Sequence, residues 1–147
     1  MGLDAVVYRN KQHLPFDADA AGAYREPTTG EYYCADLAVE QSFDRKYPSE
    51  TRASISKRLG NVSLIAFLRE EAKLYLDKNS VVLSKVLYSG THAGDVIGSE
   101  SLSRLEAELR QVQRSERHVS KEMVEFITDL QELIIAARLE GNPIVFV

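Results

Sequence analysis

Cysteine is nearly missing. Cys34 is the single one among 147 residues, so no disulfide can form within the chain. Long apolar runs are missing too. The longest, Val62–Leu68 (which contains Ser63) and Ile144–Val147, fall far short of the roughly 20 residues that cross a bilayer. That excludes a membrane-spanning helix. The opening Met1-Gly2-Leu3-Asp4 lacks a basic segment followed by an apolar stretch. Position 6 is Val where a myristoylation signal needs Ser or Thr. A cytoplasmic location with no membrane attachment is the resulting expectation.

An excess of positive charge is also lacking. Eighteen Lys and Arg stand against 22 Asp and Glu, a net charge of −4. Duplex affinity rests on neutralising phosphates, so nucleic-acid binding is not expected. The charge is unevenly spread. Asp17, Asp19, Glu26, Glu31, Asp36, Glu40 and Asp44 fall together with only Arg25 between them. Arg45, Lys46, Arg52, Lys57, Arg58 and Arg69 follow with only Glu50. Two solvated surfaces that attract each other account for this, and so do an acidic docking surface and an anion-binding patch.

No Cys-x-x-Cys, His-Glu-x-x-His, Gly-x-Ser-x-Gly or Gly-Lys-Ser/Thr occurs. His13, His92 and His118 are far apart in sequence. No metal or cofactor is therefore expected. Internal repeats and low-complexity tracts are absent as well.

The patterning that is present predicts one domain over 1–147, of α+β class, dominated by three main helices. Ala5–Tyr8 reads as a strand. Asn10–Gly30, with two prolines and two glycines, reads as a long irregular, mobile loop. Tyr32, Tyr33 and Phe43 suggest one or two short strands within 31–43. Tyr24, Tyr47 and the same three aromatics form either a satellite core or an exposed recognition surface. Asn61 can cap a helix over about Val62–Leu76, with Ile65, Leu68, Ala72, Tyr75 and Leu76 on one face. A second helix starts near Leu102, where Ser103–Glu106 has the form of a capping box. The third runs over about Val119–Glu140 and is stopped by Gly141 and Pro143. The polar stretch 113–118 favours two helices in a hairpin over one kinked helix, with Ser115 or Ser120 as the new N-cap. The terminal Ile144–Val147 is stable as a strand only if paired. Its expected partner is Ala5–Tyr8, which would join the two ends of the chain in a small sheet. A free apolar tail is the alternative.

The segment richest in chemistry is Tyr88-Ser89-Gly90-Thr91-His92-Ala93-Gly94-Asp95. Its glycines let a ligand approach the backbone, and its amides can hold an anion. Ser89, Gly90, Thr91, His92, Gly94 and Asp95 are therefore candidate ligand-binding residues. A tight turn satisfied by its own side chains fits the same residues. Lys57 and Arg58 lie in Lys57–Asn61, which reads as a surface turn before the capped helix. Arg58 can reach a phosphate or carboxylate with its planar fork if the fold sets it beside the loop. Cys34 reads as a small buried residue.

Met1–Tyr8, Lys57–Asn61, Val86–Asp95 and Glu140–Phe146 together resemble a family of small uncharacterised bacterial proteins. The resemblance implies a bacterial, cytosolic, single-domain protein and carries no activity or site residue with it.

The functional expectation is a binding module that engages a protein partner or a small anionic ligand. One version of the protein partner is a basic toxin site blocked by the acidic surface, in the manner of an immunity protein. The alternative is a small enzyme. His92 would be its acid/base, Asp95 the group that orients it, and Arg58 or the loop amides the anion stabiliser. A homodimer formed through the terminal strand is a third possibility.

Overall fold

A computed structural model describes residues 1–115 and 117–147. In chain order the elements are β1 (Gly2–Tyr8), β2 (Ala23–Arg25), β3 (Tyr32–Cys34), α1 (Glu40–Lys46), α2 (Ser49–Arg52), β4 (Ala53–Asn61), α3 (Val62–Ala72), a π-helical turn (Val82–Val86), β5 (Val96–Ile97), α4 (Ser99–Gln113), α5 (Lys121–Glu140) and β6 (Ile144–Phe146). The class is α+β. One antiparallel sheet has the strand order β4-β1-β6-β5, and β2 and β3 form a separate hairpin. No helix among the described residues is long and apolar enough to cross a membrane.

The two chain ends meet as expected. Ala5 pairs with Phe146 and Val6 with Val145. Successive strand residues face opposite ways. Leu3, Ala5 and Val7 therefore enter the main core under the helices, and Val6 and Tyr8 join Val145 in a smaller cluster on the other face. β6 lies inside the sheet, with β1 on one side and β5 on the other. The terminal strand is therefore neither a free tail nor a free edge for dimerisation.

The fourth strand corrects the reading of Lys57–Asn61 as a turn. β4 spans nine residues and pairs with the whole length of β1. Its inward positions are Ile55, Lys57 and Leu59, so a lysine interrupts the apolar series. That lysine is held by Asp129, at 3.4 Å, and Glu132 of α5.

The helices pack on the sheet through leucine, isoleucine and phenylalanine. Leu105, Leu109, Met123, Ile127, Leu130 and Leu133 are essentially inaccessible. Asn61 caps α3 by accepting from Leu64 N–H at 2.8 Å, and Ser120 caps α5 by accepting from Met123 N–H at 3.1 Å. The chain between Gln113 and Lys121 breaks the helix, so α4 and α5 are separate. α3 ends at Ala72, earlier than expected, and bonded turns carry the chain on to Leu76. α4 starts at Ser99, so Ser103 lies inside the helix and no capping box forms. Glu106 instead faces Arg110, at 3.2 Å, and Arg138 of α5. Gly141 ends α5 at φ 63°, in the left-handed region that glycine tolerates.

In segment 10–52, the irregular loop expected over Asn10–Gly30 consists of turns apart from β2, which pairs with β3, one of the short strands expected within 31–43. Two short helices follow. The strand expected near Leu37–Phe43 is α1 instead. Phe16, Phe43 and Tyr47 stack as one aromatic group, with Phe16 and Tyr47 3.9 Å apart, while Tyr24 and Tyr33 are exposed. Buried polar groups tie the segment to the sheet and to α5. Asn142 accepts from Arg25 and donates to Tyr8 O, each at 2.8 Å. Buried Glu140 accepts from Asn10 N–H at 2.8 Å and lies 2.8 Å from His13 Nδ1. Arg52 reaches Tyr32 O at 2.8 Å, Glu31 at 3.2 Å and Asp44 at 3.3 Å.

Candidate functional site

The Gly-rich loop leaves the π-helical turn and returns to the sheet. Gly94 N–H donates to Phe146 O at 2.8 Å, and Phe146 N–H donates to Asp95 O at 2.9 Å. The loop thereby continues the edge of β6 toward β5. Ser89 Oγ donates to Thr91 O at 2.9 Å and accepts from Thr91 N–H at 3.2 Å. Gly90 is buried, its Cα hydrogens facing Val62.

His92 is 9% exposed and lies between two rings. Tyr88 stacks on it with centroids 4.6 Å apart, and Phe146 meets it at 4.4 Å. Its Nε2 is 2.8 Å from Val86 O. A carbonyl only accepts, so Nε2 carries the proton. Nδ1 sits 3.3 Å from Asp95 Oδ2 but outside hydrogen-bonding alignment. The same carboxylate oxygen accepts the Tyr88 hydroxyl, and that hydrogen bond is the main reason the Tyr88 pKa is raised above its ordinary value. Both ring nitrogens of His92 therefore face protein groups, and the ring is covered.

The fold does not bring Lys57 or Arg58 to this loop. Phe146, which supports His92, shares the helix-covered face of the sheet with Ala5. Arg58 pairs with Asp4, the next residue along β1, whose side chain points to the opposite face. Its guanidinium meets Asp4 at 2.7 Å and Met1 O at 3.3 Å. Lys57 faces the helices but is held by α5. Cys34 is buried in the small hairpin and directed at Asp36 O. Among the described residues, no group of three or more His, Cys, Asp or Glu could hold a metal ion.

A groove beside the loop brings together residues that the sequence reading did not single out. Arg69, Lys73, Leu76, Lys78, Leu83 and Tyr88 line a hollow of about 430 Å³. Arg69 lies on α3 and Lys73, four residues on, is the C-cap of that helix, so both project from one face. Lys78 joins them because the chain turns after Ala72. Arg69 Nε donates to Leu87 O, which fixes the guanidinium at the rim. Lys73 is 2.7 Å from Glu70. Lys78 has no acidic side chain within salt-bridge distance among the described residues. Leu76 and Leu83 provide apolar surface, and Tyr88 links the groove to His92 and Asp95. The signal open to sequence reading was the Arg69/Lys73 spacing; the position of Lys78 depends on the turn.

No protein-family model matches the chain, and neither curated proteins nor solved structures gave a significant match.

Proposed function

We propose that the protein is a binding module that holds the anionic group of a small molecule in the Arg69–Lys73–Lys78 groove. The observation that carries this reading is three cationic side chains around one concave, partly apolar surface, with no acidic side chain of the described residues within salt-bridge distance of Lys78. Ammonium and guanidinium groups converging on a hollow attract an anion, and the apolar walls strengthen that attraction by excluding water.

The enzyme alternative draws less support. An acid/base must reach the proton it moves, whereas His92 is buried under Tyr88, its Nε2 is bonded to Val86 O and its Nδ1 is covered beside the Asp95 carboxylate. Arg58 is on the other face of the sheet. The acidic docking surface also draws less support. Asp17, Glu26 and Asp36 accept backbone N–H groups in turns, Asp19 pairs with Lys11, and Glu31 and Asp44 pair with Arg52.

Titration calorimetry with inorganic phosphate at low salt tests the proposal. Wild type binds, more weakly as salt rises. The Lys73→Ser/Lys78→Ser double variant loses about tenfold or more, the equivalent of one charge-assisted hydrogen bond of roughly 1.5 kcal/mol. Wild type that takes no phosphate, or a double variant that binds equally well, overturns it.

A further inference from the structure

We infer that the ligand of this groove is a small phosphate monoester bearing a planar ring, of the mononucleotide class, with its ring on Tyr88 and its phosphate between Lys73 and Lys78. The inference rests on the anion-binding reading and adds the identity of the rest of the ligand.

Tyr88 is the reason. The residue is 45% exposed, although its ring is firmly held. One face of the ring rests on His92, and His92 rests on Phe146, so three rings stand in a row from the core to the groove. Asp95 holds the hydroxyl at the far end of the ring. A ring fixed in this way loses little freedom when a ligand covers it, so stacking on it is not offset by ordering. With His92 occupying one face, the exposed part of Tyr88 belongs to the other face and the edge, and it lines the groove.

The remaining lining fits the same ligand. Bare phosphate would use the lysines and leave Leu76, Leu83 and the Tyr88 ring idle. A phosphate ester with a flat heterocycle uses all of them. The volume of about 430 Å³ falls within the roughly 300–1,000 Å³ of small-molecule sites. Three cations suit one phosphate group. They do not form the long basic track that a nucleic-acid strand requires, and the net charge of −4 opposes such a strand.

The test compares ribose 5-phosphate, adenosine 5′-monophosphate and adenosine by calorimetry in one low-salt buffer. The expected result is that the nucleotide binds about tenfold tighter than the sugar phosphate, the effect of one base–aromatic stack, and that adenosine alone binds weakly. Tyr88→Phe keeps the ratio of the two phosphates, and Tyr88→Leu brings it close to one. Folding of both variants is checked by circular dichroism, and the wild-type ratio decides the question if Tyr88→Leu does not fold. Equal affinity for nucleotide and sugar phosphate overturns the inference and leaves the anion groove standing. Binding of none of the phosphates overturns both.

Discussion

Replacing His92 by alanine tests whether the Gly-rich loop is a packed structural element, as its contacts indicate. The imidazole makes one hydrogen bond to Val86 O and two ring contacts, and only 9% of the residue is exposed. A net hydrogen bond contributes roughly 0.5–1.5 kcal/mol. Each aromatic contact adds roughly 0.5–1.5 kcal/mol beyond its buried area. Truncation also leaves a cavity, because the neighbours collapse only in part. The sum is a destabilisation of about 3 kcal/mol, or a fall in Tm of about 6–12 °C for a chain of this size. Urea unfolding followed by circular dichroism measures it. His92→Phe separates the parts: it keeps a ring between Tyr88 and Phe146 but leaves Val86 O without its donor, so its stability should lie between that of His92→Ala and wild type. A His92→Ala protein within about 0.5 kcal/mol of wild type, the range of an ordinary surface change, would refute the packing argument.

Three further outcomes follow from other contacts. Gly30 has φ +79°, and a Cβ there would stand 2.3 Å from Asn142 Oδ1, whereas Gly22 has φ +68° and open space. Gly30→Ala should therefore lower Tm more than Gly22→Ala, and equal losses would show that the Asn142 contact does not matter. Buried Glu108 accepts from Val81 N–H and Val82 N–H, each at 3.0 Å. Glu108→Ala strands both donors and should destabilise by about 2–4 kcal/mol, measured by urea unfolding; a loss below about 1 kcal/mol would contradict this role. Burial, then the charge of Glu31, raises the Tyr8 pKa from 10.0 to about 12, although Arg52 acts the other way. The folded state then keeps a proton that the unfolded state releases, so this contribution is intact below pH 10 and is lost as pH rises toward 12. Unfolding at stepped pH should show wild type losing more stability across that window than Tyr8→Phe, and parallel losses would contradict it.

The parts of the fold legible in the sequence are those set by local chemistry. The Ser120 and Asn61 caps, the Gly141 stop and the broad apolar face of α5 each follow from a few neighbouring residues. The pairing of the chain ends follows from a simple need: four apolar residues in a terminal strand require a partner. β4 was hidden because Lys57 occupies an inward position that alternation assigns to an apolar side chain. Its compensation comes from Asp129 and Glu132, some seventy residues later. The start of α4 was misplaced because Ser103-Arg104-Leu105-Glu106 carries the cap pattern, while Gly98 is the residue where the chain turns into the helix. At the candidate site, the loop was conspicuous for its composition, but composition could not show that its own backbone and the β6 edge absorb its polar groups. The proximity of Arg58 was a matter of which sheet face a residue takes, and an unrecognised strand left that undefined. The groove depends on a turn that swings Lys78 back beside α3, and only the folded chain shows it.

Chemical-shift mapping with inorganic phosphate tests the central claim most directly. A ¹⁵N-labelled sample is titrated at low salt, and the backbone and side-chain signals are followed. Movement concentrated at Arg69, Lys73 and Lys78, saturating with phosphate, is the predicted result. Movement centred on Ser89–Gly94 or on Arg58, or no saturable movement anywhere, would contradict it.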